Sequence, residues 1–385
     1  MPHENTVFRG LLKQIPWGAF DRLVDEHDAD RRVRTLSTRS QLVALLYGQL
    51  WGAASLRDIE TGLASHAAKL YHLGADKVQR STLADANAKR PHEVFTKLFA
   101  QLVAQAEPGL RRHVRDAIRL IDATSIKLGN WSSGWATFSP GVFGAKVHVA
   151  YDPQADCPLY FVVTPANVND ITPAKTMPID PEATYVFDLG YYDFGWWAAL
   201  DAAGCRIVTR LKSNTPLDIV AEVAVPEGQD VILSDKIGHL PQRLSYSRKN
   251  PFQDPVREIF IRIDTGKVLR LMTNDLDAPA QEIADLYKKR WQVELFFRWV
   301  KQVLKIKHFL GTSENAVRIQ IAVALIAFVL LRIAQAAQRT VKSPLVFARL
   351  IRANLMHKRP IDRLIEPDPP QVNPSPQINF GFAPC

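Results

Sequence analysis

The chain has 385 residues, 47% hydrophobic and 23% charged, ordinary globular usage that excludes a largely disordered, collagen-like or coiled-coil protein. Lys and Arg total 48 against 39 Asp and Glu, and the net charge of +9 favours an anionic partner, nucleic acid before a membrane surface. Cys157, Cys205 and Cys385 are far apart and odd in number, so neither a zinc site nor a disulfide framework is indicated, and a reducing cytoplasm fits.

The opening stretch, MPHENTVFRGLLKQIPWG, has neither the long apolar core nor the cleavage site of a signal peptide. Residues 37–47, STRSQLVALLY, combine helix-cap residues with an apolar helical stripe. SLRDIETGL begins with a Ser-x-x-Asp cap pattern at Ser55. A third helix start is expected at Ser81, with the helix ending before Pro91. Residues 1–115 hold 17 Lys and Arg against 12 Asp and Glu. They read as an all-α N-terminal domain, either a helix-turn-helix-like unit or a plain helical packing domain.

From residue 117 the pattern changes to short strands. AIRLIDATSIKL, GAKVHVAYDP and CPLYFVVTPA are three, with a hairpin turn at DPQADCP. A short helix near Thr172, the strand ATYVFDLGY, the helix FGWWAALDAAG and the strand RIVTRLK follow. Three antiparallel strands, then helix, strand, helix, strand, is the order of a ribonuclease-H-like core. The expected fold is therefore α/β, with a catalytic domain over 116–212 and 271–340 and a β-rich insertion at 213–270. Residues 280–339 look strongly helical, and the apolar run 321–331 is too short to span a bilayer and reads as a core helix. Residues 341–385 would be a C-terminal helix and a tail holding six prolines between Pro367 and Pro384, extended or disordered.

Three acidic residues stand out by position. Asp122 lies in the middle of an apolar strand and Asp188 ends another, where an unpaired carboxylate is costly to bury. Either alone could simply cap a turn. Glu294 lies in YKKRWQVELFFRWVK, where Tyr287, Arg290, Glu294 and Lys301 fall within about 60° of one helix face at about 100° per residue. Leu295, Phe296, Trp299 and Val300 form an apolar face. Two strand carboxylates and one helix carboxylate can converge on two Mg²⁺ or Mn²⁺ ions, the arrangement that serves in-line phosphoryl displacement. Arg290 and Lys301 would hold flanking phosphates. Trp291 would stack on an unpaired base or pack in the core. His148 would sit near the site as a satisfied strand histidine. No glycine-rich nucleotide loop is present.

The helix carries Y-x2-R-x3-E-x6-K. Together with the IDATS and FDLGYYDFG settings of the two aspartates, the NVND segment at 167–170, the β insertion, and HENTVFRGLLKQIP and RSTLADANAKRP near the start, it resembles the insertion-sequence-four family of DDE transposases. The resemblance covers about residues 4–335. It implies a catalytic and metal-binding triad of Asp122, Asp188 and Glu294, and contacts from Tyr287, Arg290 and Lys301 to the transposon-end backbone. Leu189 stands where many members carry a basic residue. The resemblance further implies binding of inverted-repeat ends, partly by the N-terminal domain, and of target DNA. Strand cleavage and strand transfer would proceed through hairpin ends, in a homodimer on the DNA. The enzyme would be cytoplasmic, at the nucleoid, with no membrane association. The rival readings are a non-catalytic DNA-binding relative and a stand-alone metal-dependent nuclease.

Overall fold

The computed structural model describes residues 5–110, 117–225, 230–245, 248–304, 309–338 and 340–365. The Pro-rich stretch expected at 366–385 lies outside them. Among the described residues, the chain opens with the helices α1 (Val7–Leu12), α2 (Trp17–Glu26), α3 (Thr38–Trp51), α4 (Leu56–Ala64), α5 (Ala67–Leu73), α6 (Arg80–Lys89) and α7 (Glu93–Leu110). Their starts follow local capping chemistry. Ser37 Oγ accepts from the Ser40 amide at 3.1 Å and opens α3. Ser55 and Asp58 close a reciprocal capping box at α4, at 3.1 and 3.0 Å. α6 departs from the expected start at Ser81. It begins at Arg80, with Gln79 in the cap position and no side-chain cap, so Ser81 is inside the first turn.

The strands are β1 (Ile118–Leu128), β2 (Thr137–Ser139), β3 (Val142–Asp152), β4 (Cys157–Pro165), β5 (Thr184–Phe187), β6 (Arg206–Arg210), β7 (Asp218–Glu222), β8 (Ile232–His239), the short pair β9 (Arg243–Ser245) and β10 (Arg248–Lys249), β11 (Val256–Arg262) and β12 (Val268–Thr273). Between them lie α8 (Ile171–Ala174) and α9 (Phe194–Ala202), and after them α10 (Ala280–Lys289), α11 (Trp291–Val303), α12 (Glu314–Ala337) and α13 (Pro344–Asn354). The main sheet runs β2-β3-β1-β5-β6-β12-β11-β8-β7, with β4 also paired to β3. β1, β5 and β6 are mutually parallel, and β3 is antiparallel to both β1 and β4.

Two features refine the expected organisation. First, the strands of 213–270 continue the catalytic sheet. β12 pairs antiparallel with β6, so this segment extends the same sheet. A buried fork from Arg257 to both oxygens of Asp235, at 2.7 and 2.6 Å, ties β11 to β8 inside it. Second, the N-terminal helices share one core with the end of the chain. Buried residues of α1, α3 and α7 belong to the same apolar cluster as those of α12 and α13. The Val7 and Phe8 amides donate to His357 and Leu355 carbonyls at 3.0 and 2.8 Å, and Arg352 donates to Leu50 O at 3.1 Å and Val303 O at 2.7 Å.

The helical stretch after 280 is broken at Arg290 and again between α11 and α12. α12 has 24 residues, Glu314–Ala337, not the eleven of the uncharged run, and is long and apolar enough to cross a membrane. Its side chains are instead buried among the surrounding helices. Phe328 of α12 takes Phe296 and Trp299 of α11 edge-on, each at 5.0 Å, and Phe296 meets Tyr151 of β3 at 5.0 Å. These contacts fix α11 against the sheet. Phe297 joins the buried face of α11, whereas Leu295, expected there, is exposed.

Candidate active site

Strand register brings the two aspartates together. Ile121 is level with Phe187 across the parallel β1–β5 pair. Asp122, inside β1, and Asp188, just past the end of β5, therefore stand side by side on neighbouring strands. Asp122 Oδ1 accepts from the Ala123 amide at 2.8 Å. Asp188 caps a 3₁₀ turn at Leu189–Tyr191, its Oδ1 accepting from the Gly190 amide at 2.8 Å. Glu294 arrives from α11.

Arg290 stands between the strands and the helix. Its Nη2 donates to Glu294 Oε1 at 2.7 Å, and its Nη1 lies 3.6 Å from Asp122 Oδ2. Burial, reinforced by the charges of Asp188 and Glu294, pushes the Asp122 carboxyl up to about 6, against the pull of the Ala123 amide and Arg290.

This all-oxygen donor set suits a hard divalent cation. Among the described residues, no three His, Cys, Asp or Glu side chains are close enough together to hold one as they stand. Asp122 and Asp188 stand on neighbouring strands, and Glu294 is engaged by Arg290.

The basic and aromatic residues divide by exposure. Tyr287 is 8% exposed, with the Arg290 guanidinium 5.8 Å above its ring. It therefore orients Arg290 more than it offers a free surface. Trp291 is 50% exposed, with Arg298 5.9 Å from its ring, and so is not a core residue. Lys301 is half-buried in the last turn of α11. Tyr287, Lys288, Arg290 and Trp291 line one side of a cleft of about 340 Å³, with Arg262 and Ile263 opposite. Lys288 and Arg298 are exposed on the same helices, while Lys305 and Lys307 lie outside the described residues. His148 is fully buried on β3, its Nε2 2.8 Å from Thr164 Oγ1. Burial pushes its pKa down to about 4, so the ring is neutral.

Two residues were not singled out from the sequence. Arg210 ends β6. Val186 is level with Val208 on the β5–β6 pair, so two residues on Arg210 reaches the level of Asp188. Its charge acts on Tyr287, and its Nε is buried without a hydrogen-bond partner. A cation at a strand end is a faint signal without the register. Asp170, inside the NVND segment, lies against Asp188 across Gly190. The motif was visible, but its place beside the site was not.

Residues 114–330 match a family model described as a transposase DDE domain, and residues 3–76 match one described as a domain of unknown function. A Sinorhizobium fredii protein whose name, y4zB, carries the designation transposase is 43% identical over 295 residues, covering 76% of this chain and 81% of that protein. A Geobacillus stearothermophilus protein named "Probable transposase for insertion sequence element IS5377" is 29% identical over 280 residues, 70% of this chain and 73% of its own. A solved piggyBac transposase synaptic complex with hairpin DNA overlaps 91% of this chain and 78% of its own, at 12% identity and a TM-score of 0.43.

Proposed function

The chain belongs to the transposase DDE domain family, and on that premise we propose that it is the transposase of an insertion sequence, of the insertion-sequence-four type, cutting and joining DNA at Asp122, Asp188 and Glu294. The observation that carries the reading is the placement of Asp122 and Asp188 on adjacent parallel strands, with Arg290 reaching from Glu294 toward Asp122. The strand order β4-β3-β1-β5-β6, with the first aspartate on the central strand, supports a ribonuclease-H-like core. The Y-x2-R-x3-E-x6-K signature supports the family subdivision.

Asp122 and Asp188 would hold one Mg²⁺ or Mn²⁺, and Asp122 with Glu294 a second once Arg290 turns away. Bound divalent ions supply the charge neutralisation that a phosphoryl displacement needs at the entering and leaving oxygens. The chain's own residues do the rest. Tyr287 fixes the plane of Arg290. On leaving Glu294, Arg290 offers its fork to a phosphate next to the scissile one. Arg210, beside Asp188 with an unmet donor, and Lys301 extend the cationic track along the backbone. Trp291, exposed at the mouth of the cleft, offers a stacking face for a displaced end base. Water attacks the end phosphorus, the phosphorus–oxygen bond to the 3′ carbon breaks, and the freed 3′-hydroxyl becomes the next nucleophile. Its attack on the opposite strand would close a hairpin end. A homodimer holding two inverted-repeat ends would then carry them into target DNA at the nucleoid.

The test is a denaturing gel of labelled element-end DNA incubated with the protein and Mg²⁺, with EDTA as the control. Nicked, hairpin and strand-transfer products that depend on Mg²⁺ are expected. Binding without any cleavage in Mg²⁺ or Mn²⁺ would leave a DNA-binding protein only. Cleavage with no transfer would leave a nuclease.

A further inference from the structure

Tyr191 is a buried polar group without a partner. It lies three residues after Asp188, is 1% exposed, and its hydroxyl makes no hydrogen bond. Leaving a hydroxyl unpaired in the interior is costly. The ring is nevertheless held firmly. Phe187 and Trp196 each lie 6.1 Å away, and the Trp197 indole donates to the Tyr191 carbonyl at 3.1 Å. Three carboxylates act on the phenol: Asp122, Asp170 and Asp188. Burial raises the phenol's pKa first and these three charges add to it, so the unpartnered hydroxyl lies within electrostatic reach of the acidic centre.

Asp170 immediately precedes α8, and its two oxygens face different groups. Oδ1 accepts from Lys146 Nζ at 2.9 Å and lies 3.8 Å from His148 Nδ1, which is itself buried and unpartnered. Lys146 also donates to Val168 O at 3.0 Å, which anchors the ammonium. Oδ2 faces Gly190: it lies 3.3 Å from the point a Cβ there would occupy, and Asp188 Oδ1 lies 3.0 Å from that same point. The two oxygens are thus separated by no more than those distances combined. Gly190 permits the approach because it has no side chain.

An ordered water needs two to four polar partners. Asp170 Oδ2 and Asp188 can accept from one, and the Tyr191 hydroxyl can donate to it. Mg²⁺ and similar ions keep several waters when bound by one or two carboxylates. We propose that Asp170 and Tyr191 are the outer-shell positioning pair of the cation site at Asp122 and Asp188, Tyr191 donating to and Asp170 accepting from a water of the ion's hydration shell. Lys146 sets the direction of Asp170. The inference rests on the cation reading of the two catalytic aspartates and adds two residues to it.

The experiment uses the full chain without DNA, stripped with EDTA and titrated with Mn²⁺, free ion being followed by electron paramagnetic resonance. Thermal melts in EDTA run beside it. Tyr191→Phe and Asp170→Asn are each expected to weaken Mn²⁺ binding about 10- to 100-fold, the usual cost of losing an outer-shell partner. Asp188→Asn should lose most of it. Tyr191→Phe should keep its melting temperature in EDTA, because the hydroxyl has no partner to lose, whereas a hydroxyl with a purely structural role would lower it. Wild-type Mn²⁺ affinity in both Tyr191→Phe and Asp170→Asn, with binding lost in Asp188→Asn, overturns the positioning pair and leaves the aspartates standing. Should Tyr191→Phe fail to fold, Asp170→Asn decides alone. Binding that survives Asp188→Asn, or none in the wild type, overturns the cation reading and this inference with it.

Discussion

Arg290 donates to Glu294 and approaches Asp122, so it stands where a cation would neutralise the same two carboxylates. On the proposed function, its departure toward DNA and the arrival of a metal ion would be coupled. Replacing Arg290 or Lys301 by Ala should weaken end binding and lower the salt slope by about one unit for each phosphate no longer neutralised. Filter binding between low and moderate salt measures it, and an unchanged slope would make both residues structural. His148 yields a pH prediction. Burial holds its pKa near 4, and it faces Asp170 and Lys146. A depressed histidine stabilises the fold fully above its unfolded value of about 6.5, and that contribution is lost as pH falls toward 4. His148→Gln should therefore lose less melting temperature than wild type between pH 7 and pH 5. Parallel losses would show that the ring is not held neutral.

At the scale of elements, α10 and α11 meet at Arg290, and the junction puts Trp291 outside while Phe296, Phe297 and Val300 face inward. Trp291→Ala should fold with little change in melting temperature and nick the first strand normally, but form few hairpins. A denaturing gel separates the products, and normal hairpins would end the stacking role. Phe328→Ala should cost about 3–5 kcal/mol, as large core truncations do, because Phe328 anchors both Phe296 and Trp299. A denaturant melt with a loss under about 1 kcal/mol would mean that α11 is positioned by other contacts. The helical period put Arg290 and Glu294 on one face, and they pair, but the single helix it assumed for Tyr287 through Lys301 is broken at Arg290. The period could not show that Tyr287 is buried, because facing is decided by what packs on the helix. Nor could it place Leu295, which sits at the edge of the stripe. Ser37 and Ser55 were legible as caps because their partners are three residues away. Ser81 misled because nothing local distinguishes a cap serine from one in the first turn.

In the whole molecule, long-range pairing decided what local pattern could not. The strands at 213–270 have the short polar turns of an insertion, yet β12 docks on β6 and makes them one sheet with the catalytic strands. The N-terminal helices look self-contained, yet they bury their apolar faces on α12 and α13. A chain beginning at residue 112 should thus aggregate or melt without cooperativity, since α12 would expose its buried surface. A cooperative melt from such a chain would show an independent catalytic unit. Arg210 was hidden for the same reason, since only the register brings it level with Asp188, and Asp170 because only the fold sets it against Gly190. The catalytic role of the three carboxylates is tested by comparing wild type with Asp122→Asn, Asp188→Asn and Glu294→Gln on element-end DNA, following cleavage and binding together in Mg²⁺. Each variant is expected to bind within a few-fold of wild type, because phosphate contacts supply most of the affinity, and to give no cleavage above the EDTA background. Cleavage at the wild-type rate by any one of the three would contradict its place in the active site.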